Sequence, residues 1–221
     1  MERGGVFFAE NGLADALRAL LPARALRALL VTSDPADRER TAHMAAELRA
    51  TLEKSGYAVE RFDSLDGAND ADAPALIAAA DLILLAGGHV PTQNAYFQRI
   101  GLRGLLSRFS GVLIGISAGS MNSAETVYAQ PELPGESTDA AFRRYLPGLG
   151  LTKKQIIPHY QAIRDELLDG KRLFEDITYP DSNGREFFAI PDGSYLRVDP
   201  DGERFCGEVW RIADGVCEKI Q

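Results

Sequence analysis

The sequence predicts an α/β protein, a three-layer sandwich with helices on both faces of a mostly parallel sheet, closed by a C-terminal β-hairpin. Three observations predict it. Short apolar runs such as Leu82-Ile83-Leu84-Leu85 and Val112-Leu113-Ile114 are continuous rather than alternating, as strands buried on both faces are. These runs alternate with polar-apolar stretches of helical spacing, the pattern of parallel strands joined by helical crossovers. Gly, Pro and Asp punctuate the joins.

The elements follow in order. Arg27 to Ser33 reads as a buried strand ending in turn chemistry. From Pro35, apolar positions at Met44, Leu48 and Leu52 give a helix that Gly56 ends. Tyr57 to Phe62 alternates as a second strand, Pro74 to Ala80 suits a short helix, and Asp81 to Ala86 is a continuous buried strand. A helix is expected over Gln93 to Phe109, interrupted near Gly101 and Gly104, then a strand over Gly111 to Ile114 and a helix from Ser120 to Glu125. Further on, Gln155 to His159 reads as a short strand entering a loop, and Leu167 to Ile177 as a helix. Glu186 to Ile190 and Ser194 to Val198 read as strands around Pro191-Asp192-Gly193, and Glu208 to Ile212 with Gly215 to Ile220 as a terminal hairpin. With no repeat, low-complexity tract or linker, residues 1–221 are expected to form one domain.

Composition narrows the function. The 221 residues are 45% hydrophobic and 25% charged, ordinary for a globular protein. A net charge of −8 argues against nucleic acid or an anionic membrane surface as a partner, although a local Arg or Lys can still bind an acidic substrate. Cys206 and Cys217 have neither metal-ligand spacing nor disulfide-scaffold density, and Met1 to Gly5 lacks the basic region of a leader peptide. A cytoplasmic protein with reduced thiols is the expectation; self-association is left open.

The stretch that carries chemistry is Gly115-Ile116-Ser117-Ala118-Gly119, directly after an apolar strand and before a helix. It has the G-x-S-x-G form of a nucleophile elbow, with Ser117 on a sharp strand-to-helix turn. A serine hydroxyl needs a base oriented by an acid. Of three histidines, His43 lies mid-helix, while His89 after Gly87-Gly88 and His159 after Pro158 both follow strands. Asp192 in Pro191-Asp192-Gly193 and Glu132 in Gln130-Pro131-Glu132 are the candidate acids. Gly87-Gly88 at a strand end, with the Ala118 amide, could donate to an oxyanion.

In this order these parts resemble peptidase family S51, the Asp-specific dipeptidase E group and the cyanophycinases. The resemblance runs from about Leu29 to the terminal hairpin and rests on the Ser117 elbow, Pro158-His159 and Pro191-Asp192-Gly193. It implies a class I glutamine amidotransferase-like, flavodoxin-like fold and a peptidase acting through an acyl-enzyme without metal or other cofactor. Residue by residue, it implies Ser117 as nucleophile, His159 as base, Gly88 and Ala118 as oxyanion hole, and a small peptide as substrate. Asp192 stands where the dipeptidases have glutamate; Glu132 matches the family's alternative acid. His89 replaces a small residue of the dipeptidase loop and could narrow the substrate pocket. The arginine that binds the substrate's aspartate has only weak matches here, Lys171-Arg172 or Arg164. Two other readings stay open: an α/β-hydrolase-type esterase using Ser117, Glu132 and His159 in that chain order, and a ligand-binding relative without activity. No cysteine near the elbow supports an amidotransferase.

Overall fold

The computed structural model describes residues 2–3, 6–7 and 10–221; Met1, Gly4 and Gly5, which entered the leader-peptide reading, lie outside them. The chain divides into two compact units, Met1–Ser120 and Met121–Gln221.

The first unit is built on a four-stranded parallel sheet in the order Val59–Leu65, Leu26–Val31, Leu82–Leu85, Val112–Gly115. Successive side chains point to opposite faces. Ala28, Leu30, Leu82 and Leu84 pack with Leu17, Leu21, Leu48 and Leu52 of the helices Leu13–Leu20 and Arg38–Lys54 and their flanks. Leu29, Val31, Ile83 and Leu85, on the opposite face, are as fully buried. Both faces are therefore covered, as the continuous apolar runs require. Burying four such aliphatic side chains stabilises by about 1.5–3 kcal/mol each relative to exposure. The helix predicted from Gln93 begins earlier, as Val90–Arg99, because Pro91 is well placed in a first helical turn. It breaks once, at Gly101 with φ 63°, and Gly104 sits inside the next helix, Leu102–Leu106.

The second unit holds a mixed four-stranded sheet. Glu186–Ala189 pairs in parallel with Gln155–Ile157 and antiparallel with Trp210–Ala213, which pairs with Val216–Lys219. The last two strands are the predicted terminal hairpin, turning at Asp214 and Gly215 with φ 50° and 80°, the Asp-Gly chemistry of a tight hairpin turn. Its core gathers Tyr128, Ile157, Phe174, Phe187 and Ile212, with Tyr128 stacked on Phe187 at 4.2 Å.

One expectation is corrected here. Leu167 to Ile177 is not one helix: Leu167–Leu168 and Lys171–Arg172 form a hairpin, and only Leu173–Thr178 is helical, as a π-type turn continued by Tyr179–Asp181. Asp169-Gly170, with φ 51° and 76°, supplies the hairpin turn. The segments flanking Pro191-Asp192-Gly193 are both strands, Glu186–Ala189 and Tyr195–Asp199, and the second pairs with Gly202–Cys206. Among the described residues no helix is long and apolar enough to cross a membrane.

Candidate active site

In the first unit, the Leu82–Leu85 and Val112–Gly115 strands run in parallel with Leu85 opposite Gly115, and the Ile116 N–H donates to the Leu85 carbonyl at 3.0 Å. The chain then turns abruptly. Ser117 has φ 51°, a left-handed conformation that costs a side-chain-bearing residue free energy and is found where the fold over-determines it. The helix Ala118–Asn122 starts at once, two residues earlier than predicted. The Gly119 and Ser120 amides turn back to the Ile116 and Ser117 carbonyls, both at 2.8 Å. The Ser120 hydroxyl also donates to the Ser117 carbonyl at 2.6 Å. Ser117 is left half-buried at the apex, with the Ala118 N–H at the head of the turn.

Close approach explains why glycine stands at 119. A Cβ there would meet the Leu85 carbonyl oxygen and lie 2.7 Å from the Leu85 Cβ, so the elbow helix could not sit against the strand. The neighbouring strand end runs into Gly87-Gly88, and a Cβ on Gly87 would lie 3.2 Å from the Ser117 Cβ. The glycine pair and the elbow are thus side by side. His89 follows in extended conformation at the head of the Val90–Arg99 helix, its Nδ1 paired with the Thr92 hydroxyl at 2.7 Å.

In the second unit, the parallel strands Gln155–Ile157 and Glu186–Ala189 carry the other candidates past their carboxyl ends. The Ile190 N–H donates to the Ile157 carbonyl at 2.9 Å and the Tyr160 N–H to the Ile190 carbonyl at 3.1 Å, locking the two exits together. His159 has φ 61° and precedes the single helical turn Tyr160–Ile163. Its Nδ1 lies 2.6 Å from Asp192 Oδ1. A carboxylate can only accept, so Nδ1 carries the proton and Nε2 is the basic nitrogen of the neutral ring. Gln161 holds the acid on its other side: its amide nitrogen donates to Asp192 Oδ2 at 2.7 Å, and its carbonyl oxygen accepts the Asp192 N–H at 3.0 Å. Sequence reasoning missed Gln161, which belongs to no motif; its position two residues after a candidate base was the only signal. Glu132 lies in an exposed turn where its N–H donates to Glu136 Oε2 at 2.9 Å.

The cations proposed to bind an acidic substrate are engaged locally. Arg172 holds Asp176 through Nη2 at 2.8 Å and Nε at 3.2 Å, and those hydrogen bonds draw the Asp176 carboxyl down to about 2. Arg164 pairs with Asp165 at 3.0 Å, and Lys171 Nζ donates to the Ser137 carbonyl at 3.1 Å. Both cysteines are free thiols.

No curated protein matches the chain. In architecture it is similar to a Listeria monocytogenes EGD-e protein named "Putative Peptidase E Protein", with a TM-score of 0.57 over 98% of this chain and 97% of that one. At 15% identity, that likeness speaks for the fold. The sequence itself matches the model of peptidase family S51 over residues 13–205, which takes in the Ser117 elbow, the His159–Asp192 pair, all four strands of the parallel sheet and two of the four of the mixed sheet, and the chain belongs to that family.

Proposed function

We propose that the protein is a serine peptidase that cleaves short peptides, including dipeptides with N-terminal aspartate. One observation carries the reading: a serine held at φ 51° on a glycine-flanked turn between a buried parallel strand and a helix. Such a conformation exposes a hydroxyl at a strand end and is retained where reaction at that hydroxyl needs it. Ser117 is the nucleophile. His159, with its tautomer set by Asp192, takes the hydroxyl proton and returns it to the leaving amine. The Gly88 and Ala118 amides stabilise the oxyanion, each contributing about 3–4 kcal/mol to the transition state. Water activated by the same histidine then hydrolyses the acyl-enzyme.

The order of these residues is Ser117, His159, Asp192, with the acid on His159 Nδ1 after the base. An α/β-hydrolase esterase has the acid before the histidine, so this contact favours the peptidase reading. The test is Ser117→Ala. Dipeptide hydrolysis should fall by at least about 10³-fold, and fluorophosphonate labelling should vanish, with the far-UV circular dichroism spectrum unchanged. Undiminished turnover would remove Ser117 from the mechanism.

A further inference from the structure

The Val90–Arg99 helix buries Val90, Gln93, Asn94 and Phe97, the i, i+3, i+4, i+7 stripe that a helix turns toward a core. Gln93 has no exposed surface at all, and no step above uses it. An aliphatic side chain would fill such a position without the cost of dehydrating an amide. A buried amide is kept where its hydrogen bonds are needed. The Gln93 side-chain nitrogen donates to the Ala86 carbonyl at 2.7 Å, the backbone group immediately before Gly87-Gly88.

That bond closes residues 86–93 into a ring with the glycine pair inside it. On the strand side, the Ala86 N–H donates to the Val31 carbonyl at 3.0 Å, so the sheet fixes the chain as far as Ala86. On the helix side, the Gln93 N–H donates to the His89 carbonyl at 3.1 Å, and His89 Nδ1 lies 2.7 Å from the Thr92 hydroxyl. Between these two anchors, Gly87 and Gly88 bring no conformational restraint of their own. Their surroundings leave little room for error. A Cβ on Gly87 would lie 3.2 Å from the Ser117 Cβ, and one on Gly88 would meet the Ser33 hydroxyl and lie 2.7 Å from the Ser33 Cβ. Gln93 is the side chain that ties the last fixed carbonyl of the strand to the helix beyond the glycines.

We propose that Gln93 is a positioning residue for the oxyanion hole: by holding the Ala86 carbonyl it sets the peptide plane that enters Gly87-Gly88, and with it the direction of the Gly88 N–H. The inference rests on the reading of Ser117 as nucleophile and Gly88 as oxyanion donor, and it adds the group that orients that donor. A donor of this kind works by being aimed before the charge develops, and a misplacement of about 1 Å is enough to cost about 10²-fold in rate. Gln93 acts through backbone and touches no reacting atom. Its removal should therefore weaken the transition state and spare the bound substrate.

The experiment compares wild type with Gln93→Met, which keeps the length of the side chain and loses the donor. The variant should lower kcat on Asp-Leu by about 10- to 100-fold with KM unchanged. The second-order rate of fluorophosphonate labelling at Ser117 should fall by the same factor, because phosphonylation draws on the same oxyanion donors. Calorimetric affinity of Asp-Leu for Ser117→Ala should be the same with and without Gln93→Met. Leu48→Ala, which opens a cavity under the Arg38–Lys54 helix of the same unit, controls for stability. It should lower Tm and leave the labelling rate of the folded enzyme at the wild-type value. A labelling rate unchanged by Gln93→Met, or lowered as much by Leu48→Ala, would overturn the role of Gln93; so would a rise in KM at constant kcat. Gln93→Glu carries the test if the methionine variant does not fold. Its carboxyl, held neutral by burial, can donate to the same carbonyl and should retain at least about a third of the wild-type labelling rate; a loss as large as that expected of methionine would count against the tether. Absence of labelling in the wild type would instead sink the reading of Ser117 and this inference with it.

Discussion

The two units hold their candidate residues by different means. In Met1–Ser120, backbone geometry places Ser117: a buried parallel strand, a close helix, and glycines where no Cβ fits. In Met121–Gln221, side-chain hydrogen bonds place His159, through Asp192 and Gln161, at positions whose side chains are 44% and 51% exposed for the histidine and aspartate. A site defined by packed backbone couples activity to stability. A site defined by exposed side chains does not, because a solvated ion pair contributes little to folding. The first kind resists drift and tolerates little change; the second can be tuned one residue at a time.

The sharpest way to break this contrast is Gly119→Ala. The new methyl would press on the Leu85 carbonyl and Cβ, so the elbow must shift. Overpacking of this kind should cost about 1–3 kcal/mol of stability, and displacement of the Ser117 hydroxyl should cost about 10²-fold in kcat/KM. Thermal melts and dipeptide kinetics on one preparation would check both; loss of activity at unchanged Tm would mean that packing and nucleophile are not coupled. Asp192→Asn comes next. It should lower kcat by about 10²-fold through the wrong histidine tautomer while Tm stays at the wild-type value. A large fall in Tm would place that pair in the structural framework instead.

The smallest effect concerns the hairpin that sequence reasoning read as helix. Asp169 Oδ1 accepts the Gly135 N–H at 2.8 Å, and Oδ2 accepts the Ser137 hydroxyl at 2.7 Å and its N–H at 3.2 Å. The Gly135 amide and the Ser137 hydroxyl hold the carboxyl below the ordinary aspartate value. A folded-state pKa that is depressed contributes stability in full above the unfolded value, about 3.9, and loses it as pH falls through the folded value. Asp169→Asn should therefore give a slightly lower Tm than wild type at pH 7. The gap should close on acidification below about pH 4. A gap that is constant across the titration would show that charge plays no part in this cross-link.

These differences also explain what was legible in the sequence. The parallel sheet was, because three apolar runs, one alternating strand and their helical spacers report burial locally. The elbow was, because Gly115, Ser117 and Gly119 are a backbone requirement written in three adjacent positions. The Leu167–Arg172 hairpin was not: its leucines and charges imitate a helix, and only the Asp169-Gly170 pair says otherwise. The Gly202–Cys206 strand escaped because it is polar and mostly exposed, without the alternation that marks a strand. Gln161 escaped for another reason. It acts on a residue tens of positions away, Asp192, and nothing in a linear pattern announces such a meeting.

The φ of 51° at Ser117 has a consequence for how this chain changes over generations. A residue with a Cβ in that region costs about 1–2 kcal/mol that glycine would not. Mutation to glycine at 117 is thus a downhill step in stability, open at all times, and blocked only by the loss of a hydroxyl. A lineage that no longer needed the reaction would be expected to take it. On the proposed reading of Ser117 as the nucleophile, the serine that stands there is maintained for its chemistry against the preference of the fold.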